Sequence, residues 1–272
     1  MSEKELQGKV AIVTGAGRLR GIGRAASVAL AKLGADVVVT GTGRSPDRYP
    51  DDEKAAGWHD VESTAEQVRA EGGRALPLVV DVSDPAEVQS MVDRTLGELG
   101  RIDILVNNAA YAMEPALGPL IEVSPEMFQR VQDVKVKGTF LCSKSAARTM
   151  IDRGEGGKII NLSSAAGKRG TANTLAYNAA CFALIGMTQS MARELGPHGI
   201  NVNCVCPGTT ATSRTDFYGR DEFWDQRAAG TALGRNGTDD EVGAFIAYLC
   251  TEASSWITGQ SININGGTVM EH

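Results

Sequence analysis

The chain of 272 residues lacks the features that mark several classes of protein. No apolar run approaches the roughly 20 residues that a membrane-spanning helix needs. The first residues, Met1-Ser2-Glu3-Lys4-Glu5, contain no apolar leader segment. The formal net charge is −6, so a basic surface for nucleic acid is not expected. We therefore expect a cytoplasmic protein with neither a nucleic-acid partner nor a membrane partner.

Cysteine and histidine are too few and too scattered to predict a disulfide framework or a metal site. The five cysteines lie at positions 142, 181, 204, 206 and 250, and no two of them form a CxxC pair. The three histidines do not lie at metal-ligand spacing from another ligand. We expect no metal, and we expect Cys204 and Cys206 to belong to the core.

Short apolar segments alternate with longer amphipathic segments along the whole chain. The apolar segments, typical of buried parallel strands, are 10–13, 36–40, 75–80, 102–106, 158–162, 200–205 and 260–264. The helical segments are 22–33, 61–71, 85–98, 125–150, 175–197 and 239–250. This order predicts one α/β domain over 1–272, a Rossmann-type doubly wound, mainly parallel seven-stranded sheet with helices on both faces.

Two segments interrupt this alternation. Residues 41–60 form a polar connection that is longer than is usual between a strand and a helix. Within it, we expect the charged residues 51–54 to be solvated and Trp58-His59 to lie in an exposed loop. Residues 209–237, which contain Arg214 and four aromatic residues, are predicted to form a lid over the substrate.

A glycine-rich segment, Thr14-Gly-Ala-Gly-Arg-Leu-Arg-Gly-Ile-Gly23, joins the first strand to the first helix. Glycines allow a sharp turn and the close approach of a pyrophosphate, while the first N–H groups of the helix face the anion. An ordinary tight turn is the alternative interpretation of such a string. Its position between a buried strand and an amphipathic helix favours a dinucleotide site.

The chain resembles the short-chain dehydrogenases/reductases in several motifs that occur in the same order. Thr14-Gly15 and Gly21-Ile22-Gly23 are similar to the family's TGxxxGIG, although five residues rather than three separate the two parts. Ser164 and Tyr177 are thirteen residues apart, as in the family's catalytic pair. The other similar motifs are Asp81-Val82, Asn107-Asn-Ala-Ala110, Pro207-Gly208 with Thr212, 232–237, 257–261 and 265–267.

The resemblance implies a nicotinamide cofactor. The residues that it assigns to the cofactor are Gly15, Gly21, Ile22, Gly23, Asp81, Val82, Asn108, Pro207, Gly208 and Thr212. No carboxylate follows the second strand directly, where it would repel a 2′-phosphate, and Arg18, Arg20 and Arg44 could each supply a cation. We therefore expect NADP(H) to be preferred, with NAD(H) possible. The alternative is that these arginines only face water.

Two positions of the expected active site depart from the family pattern. The resemblance assigns Tyr177 as the general acid or base and Ser164 as the residue that hydrogen-bonds to the substrate oxygen. The family has a lysine four residues after the tyrosine and an asparagine on the preceding helix, where this chain has Cys181 and Lys135. A free tyrosine titrates near ~10, so working near neutrality requires about 4 kcal/mol of stabilisation of its anion. A neutral thiol does not provide this.

Three interpretations of Lys135 stay open. In the first, Lys135 replaces the missing family lysine and lowers the pKa of Tyr177 from the opposite helix. In the second, Lys135 points to solvent and the site is weak or redox-inactive. In the third, Lys135 pairs with Cys181, which becomes a reactive thiolate. We also expect Tyr111 and Met113 to line the substrate cleft.

The predicted function is that of an enzyme performing reversible hydride transfer between NADP(H) and a small-molecule carbonyl or secondary alcohol. The resemblance implies a homo-oligomer, a tetramer or a dimer, with the helices near 125–150 and 175–197 at the interface. Two other functions stay open, because the fold alone does not decide among them. One is non-redox chemistry around Tyr177 and Lys135, such as hydration or C–C cleavage, and the other is cofactor binding without turnover.

Overall fold

The computed structural model describes residues 4–112 and 116–271. Its strands are β1 (Val10–Val13), β2 (Asp36–Gly41), β3 (Ala75–Val79), β4 (Ile104–Asn107), β5 (Gly157–Leu162), β6 (Ile200–Pro207), β7 (Thr210–Ala211), β8 (Gly237–Thr238) and β9 (Ser261–Ile264). Its helices are α1 (Ile22–Lys32), α2 (Asp51–Ala55), α3 (Asp60–Ala70), α4 (Pro85–Leu99), α5 (Pro125–Gln132), α6 (Gly138–Arg153), α7 (Leu175–Leu195), α8 (Glu222–Ala229) and α9 (Asp239–Leu249).

Seven strands form one parallel sheet in the order β3-β2-β1-β4-β5-β6-β9. Successive side chains of β1 pack into different cores: Ala11 and Val13 meet α1, α3 and α9, whereas Ile12 meets α4, α6 and α7. The sheet is therefore covered by helices on both faces, and its strands are apolar without alternation. The predicted Rossmann-type seven-stranded fold is confirmed.

Side-chain caps fix the starts of several helices. Asp84 accepts hydrogen bonds from the first turn of α4, and Ser124 does so for α5. Thr238 and Glu241 form a reciprocal capping box at the start of α9. These caps explain why the sequence pattern located the helix starts closely.

The predicted helix over 125–150 contains a π-helical turn, Asp133–Lys137, between α5 and α6. Such a turn adds one residue to a helical turn and re-aims the side chains on it. After the turn, Gly138 packs against Val82; a Cβ built on Gly138 would lie 2.7 Å from a Val82 methyl group. Lys135 lies in the π turn and is 3% exposed.

The prediction of a solvated, exposed segment between β2 and α3 is wrong at two positions. Residues 51–54 belong to α2, and Glu53 is 0% exposed. Trp58 is buried as well, because its Nε1 donates to the carbonyl of Gly17 at 2.7 Å. His59 is exposed as expected. The burial comes from contacts with the glycine-rich segment, which charge patterning does not reveal.

The segment 209–237 folds into the short parallel pair β7 and β8 together with α8. Within it the Tyr218 ring stacks on Phe223, and Phe217 packs against Tyr218 with its ring tilted by 37°. Within 4–112 and 116–271, no helix has both the length and the apolar character required to cross a membrane. Cys204 and Cys206 are completely buried in β6, so their assignment to the core is confirmed.

Candidate active site

The glycine-rich segment forms a cradle in which only glycine fits at two positions. Gly15 is exposed and has a positive φ of 67°, and a Cβ on it would lie 2.8 Å from the Cα of Ala109. A Cβ on Gly23 would lie 2.6 Å from the Nδ2 of Asn108. Asn108 in turn donates to the carbonyls of Thr14 and Gly15 at 2.7 and 2.9 Å. The segment after β4 therefore braces the cradle.

The amino terminus of α1 has unused hydrogen-bonding capacity. Gly21 is its N-cap residue and provides no side-chain cap, and the first turn that begins at Ile22 contains no acidic residue. The free N–H groups and the helix dipole together suit an anion. The cradle and this helix end therefore fit the pyrophosphate of a dinucleotide.

Arg44 follows β2, as the sequence indicated, but it is not a free cation. Its guanidinium pairs with Glu53 at 2.6 Å and with Asp60 at 3.3 Å, and it donates to the carbonyl of Gly17 at 2.8 Å. Asp60 lies so close to Gly17 that a Cβ there would overlap its carboxylate. Although no carboxylate follows β2 directly in the sequence, helices α2 and α3 bring Glu53 and Asp60 to this corner.

The other two arginines of the expected phosphate site also differ from each other. Arg20 forms ion pairs with Asp52 and Asp216, which link the glycine-rich segment to α2 and to the segment 209–237. Arg18 is partly buried beside Arg44, and burial, followed by the charge of Arg44, lowers its pKa. Arg20 and Arg44 both form hydrogen bonds to carboxylates. Among the residues that the structure describes, Arg18 has no carboxylate within hydrogen-bond distance.

The remaining cofactor candidates lie around the same end of the sheet. Although burial opposes it, hydrogen bonds from Ser83 and Arg130 hold the pKa of Asp81 below its usual value. Val82 is buried against the start of α6. Pro207 ends β6, and Gly208 and Thr212 begin the segment that follows it; a Cβ on Gly208 would lie 2.8 Å from Asn265.

Tyr177 and Ser164 meet beside this cradle. Ser164 follows β5, and its Oγ accepts a hydrogen bond from the N–H of Ala166. Tyr177 lies in the first turn of α7 and is partly buried. Burial raises the pKa of its phenol well above its usual value, and the Cys181 thiol adds to this rise. The nearby charge of Arg214 and the Ser164 hydroxyl oppose it.

Lys135 points into the site. Its Nζ donates to the carbonyl of Leu162 at 2.6 Å and lies 5.6 Å from the centre of the Tyr177 ring. Burial lowers the pKa of Lys135, and the thiol of Cys181 partly offsets this. The interpretation in which Lys135 points to solvent is therefore wrong.

Cys181 is fully buried one helical turn after Tyr177. Burial raises the pKa of its thiol above the usual value, although the charge of Lys135 lowers it in part. The net rise in the pKa of the Cys181 thiol favours its neutral form, which argues against the interpretation of a Lys135–Cys181 ion pair.

The sequence did not identify Arg214 as a neighbour of Tyr177. Its guanidinium lies 5.1 Å from the centre of the Tyr177 ring. Together with Tyr177, Lys135 and Tyr111, it lines a small cavity. Tyr111, expected to line the substrate cleft, lines this cavity, while Met113 lies outside the described residues. The only signal in the sequence was that Arg214 follows Thr212 of the expected nicotinamide segment by two residues.

Comparisons with known proteins agree with this geometry. A family model described as enoyl-(acyl carrier protein) reductase matches residues 15–269. A 3-oxoacyl-[acyl-carrier-protein] reductase of Synechocystis sp. is 35% identical over 97% of this chain and 98% of its own length. A short-chain dehydrogenase/reductase of Hericium erinaceus is 38% identical over 95% and 96% of the two chains. The chain belongs to the short-chain dehydrogenase/reductase family.

Solved structures give the same result. A short-chain dehydrogenase/reductase from Serratia marcescens superimposes with a TM-score of 0.83 at 37% identity, covering 97% of this chain and 99% of its own. The carveol dehydrogenase of Mycobacterium avium, solved in complex with NAD, gives a TM-score of 0.87 at 27% identity over 97% and 99% of the two chains. This protein is thus a short-chain dehydrogenase/reductase enzyme of the nicotinamide-cofactor type.

Proposed function

We propose that this oxidoreductase interconverts a small-molecule carbonyl and its secondary alcohol, with Tyr177 as the proton donor or acceptor. The observation that carries this proposal is the meeting of Tyr177, Ser164 and Lys135 beside the glycine-rich cradle. Ser164 follows the carboxyl end of β5, and Lys135 donates to the last carbonyl of that strand. In open α/β sheets, ligands bind at this end of the strands. When bound, the cofactor supplies the hydride to the carbonyl carbon or accepts it in the reverse direction.

Each protein group has one task in this proposal. In reduction, the Tyr177 phenol gives its proton to the substrate oxygen, and in oxidation it takes that proton back. Ser164 holds the same oxygen by a hydrogen bond. Gly15, Gly21, Ile22, Gly23 and Arg18 hold the pyrophosphate, Asp81, Val82 and Asn108 line the adenosine side, and Pro207, Gly208 and Thr212 hold the nicotinamide side.

Lys135 takes the place of the family lysine that Cys181 replaces. Support comes from its burial, from its 5.6 Å separation from the Tyr177 ring and from the hydrogen bond that fixes its ammonium group. A cation in this position would stabilise the phenolate and so oppose the rise that burial causes in the Tyr177 pKa, as the charge of Arg214 does. Cys181 then serves as a neutral packing residue beside the proton path.

For the cofactor, we propose a preference for NAD(H) in place of the NADP(H) preference expected from the sequence. Arg44 is already neutralised by Glu53 and Asp60, and a 2′-phosphate at this corner would meet two carboxylates. A ribose hydroxyl, being neutral, does not suffer this repulsion. NADP(H) remains the alternative if Arg18 alone attracts the phosphate.

The remaining expectations stay proposals. Segment 209–237 acts as a lid over the substrate, which agrees with the position of Arg214 beside Tyr177. The chain forms a homodimer or homotetramer through α6 and α7, whose Phe140 and Phe182 rings are 50% and 47% exposed. A cytoplasmic location agrees with five buried, unpaired cysteines.

The test of the proposed reaction follows nicotinamide absorbance while NADH or NADPH is mixed with a panel of aldehydes, ketones, oxo acids and oxo esters. We expect turnover of at least one compound, a loss of about 100-fold or more in Tyr177→Phe, and a smaller loss in Ser164→Ala. Tyr248→Phe, which changes a 43% exposed tyrosine on α9, is the matched control. Equal turnover by the parent and Tyr177→Phe would contradict the assignment.

A further inference from the structure

Within residues 4–112 and 116–271, Arg214 is a cation without a counterion beside the Tyr177 phenol. Its guanidinium carbon lies 5.1 Å from the centre of the Tyr177 ring. In the part of the chain that the structure describes, Arg214 has neither an ion-pair partner nor a hydrogen-bond acceptor. Two other arginines that meet at the segment 209–237 behave differently, because Arg20 and Arg220 both pair with Asp216. Arg214 therefore keeps its hydrogen-bonding capacity for something that enters the site.

The cavity around Arg214 is positively charged. Arg214 and Lys135 line it together with Tyr177, and its other lining residues are alanines, Val131 and Tyr111. After burial itself, the charge of Arg214 contributes to the lowered pKa of Lys135, so the two cations repel each other. Among the lining residues that the structure describes, none carries a carboxylate. Two like charges in a partly buried cavity are unfavourable until an anion joins them.

The cavity, of about 10 Å³, has room for little more than one water molecule, so a ligand can enter only if the walls move apart; the polarity of those walls suits a short molecule. Apart from the two cations and the two phenols, its walls are aliphatic. A ligand held there therefore gains from one anionic end and from a short apolar body. Because the Arg214 guanidinium lies 5.1 Å from the centre of the Tyr177 ring, a ligand that reaches both groups has its anionic group only a few bonds from its reacting oxygen.

We propose that the substrate is a short oxo acid, or the corresponding hydroxy acid, whose carboxylate pairs with Arg214 while its carbonyl oxygen faces Tyr177. This inference rests on the proposed hydride transfer and adds the substrate class to it. Arginine suits the role because its planar group binds a carboxylate through two parallel N–H donors. The carboxylate lies one to three carbons from the carbonyl, and Lys135 on the other wall adds to its attraction.

The test measures binding rather than turnover, so that it does not depend on the redox step. Protein saturated with NAD⁺ is titrated calorimetrically with 2-oxobutanoate, acetoacetate and 4-oxopentanoate, and in parallel with the neutral amide of each. We expect at least one acid to bind at least tenfold more tightly than its amide. Arg214→Gln should abolish this difference, and Arg214→Lys, which keeps the charge but loses the paired donors, should retain part of it.

Arg227→Gln is the matched control. Arg227 lies on α8 in the same segment, but it is exposed and stacks over Phe223 rather than over Tyr177. We expect it to leave the ratio of acid to amide affinity unchanged. If Arg227→Gln lowered that ratio as much as Arg214→Gln does, the preference would be a general effect of charge in the segment, and the assignment to Arg214 would be wrong.

Two outcomes would overturn the inference. One is equal affinity of the parent protein for every acid and its amide, a comparison that needs no variant. The other is that Arg214→Gln weakens NAD⁺ tenfold while the preference for acids persists, which would assign Arg214 to the cofactor phosphates. If acids bind through Arg214 but mixing the same oxo acids with NADH and the protein leaves the NADH absorbance unchanged, the proposed hydride transfer would instead be contradicted and the anion site would stand.

Discussion

Replacing Lys135 by methionine tests whether this side chain activates Tyr177. Methionine keeps an unbranched stem of similar length and removes the charge. A unit charge at the observed 5.6 Å from the ring centre is worth about 3 kcal/mol at an effective dielectric of ~20. Since one pKa unit corresponds to about 1.4 kcal/mol, Lys135→Met should raise the Tyr177 pKa by about 2 units.

The sign of the effect depends on the direction of the reaction. In alcohol oxidation, the phenolate accepts the proton, so kcat/KM rises with pH until Tyr177 is ionised. A higher Tyr177 pKa moves this rising limb to higher pH. At a pH where Tyr177 is protonated in both proteins, kcat/KM of Lys135→Met should therefore be about 100-fold lower than that of the parent. This difference in kcat/KM should disappear as the pH rises above the Tyr177 pKa of the variant.

The assay is the pH profile of kcat/KM for alcohol oxidation, combined with the unfolding temperature. Lys137→Met is the matched control, because Lys137 lies on the same π turn but is exposed. It should leave the limb in place. A limb that moves by less than about 0.3 unit in Lys135→Met would refute the reasoning, as would an activity loss that is equal at every pH.

Three further predictions follow from the cradle, the corner beside β2 and the exposed rings. Gly23→Ala should weaken NAD⁺ binding at least tenfold in calorimetry, because the added Cβ has no room beside Asn108. In the control Gly97→Ala, the added Cβ on α4 meets open space, so NAD⁺ affinity should not change. The parent should bind NAD⁺ at least tenfold more tightly than NADP⁺. Glu53→Gln should reduce this ratio of NAD⁺ to NADP⁺ affinity, because it frees Arg44 from one of its ion pairs. Glu62→Gln, which removes the exposed ion pair with Arg69, should leave the ratio unchanged. Phe182→Asp should lower the assembly state in sedimentation experiments without lowering cofactor affinity per chain; an unchanged assembly would contradict the proposed interface.

The strands and most helices could be predicted because their signals are local. A strand buried on both faces has a continuous apolar sequence, as Val10–Val13 has, and a capped helix has a polar residue at a fixed offset, as Asp84 has before α4. The glycine-rich cradle was also predictable. Its glycines are required by contacts that recur wherever a backbone approaches a pyrophosphate.

The corner beside β2 could not be predicted from local signals. Glu53 reaches the N–H of Leu19, and Trp58 reaches the carbonyl of Gly17, across 34 and 41 positions of sequence. These contacts join the enlarged glycine-rich segment to the long connection after β2. From the sequence, the connection after β2 was expected to be solvent-exposed, and the glycine-rich segment was only seen to be two residues longer than the family pattern. Only their packing against each other shows that the carboxylates neutralise Arg44.

The sequence indicated the composition of the candidate active site better than its geometry. Tyr177 and Ser164 are candidates because their spacing resembles that of the family's catalytic pair. The inward direction of Lys135 depends on the π turn, which the sequence periodicity does not show. Arg214 comes from a segment with no periodic pattern, so its approach to Tyr177 depends entirely on tertiary packing.

The most direct test of the central claim is isotope transfer from cofactor to substrate. NADH carrying deuterium at C4 of the nicotinamide, as the separate pro-R and pro-S isotopomers, is incubated with a carbonyl compound that the protein reduces, and the alcohol is examined by mass spectrometry. We expect deuterium on the carbinol carbon from one isotopomer only, and at least 100-fold slower formation of this product by Tyr177→Phe. Product that forms without deuterium from either isotopomer, or at an unchanged rate in Tyr177→Phe, would contradict the account.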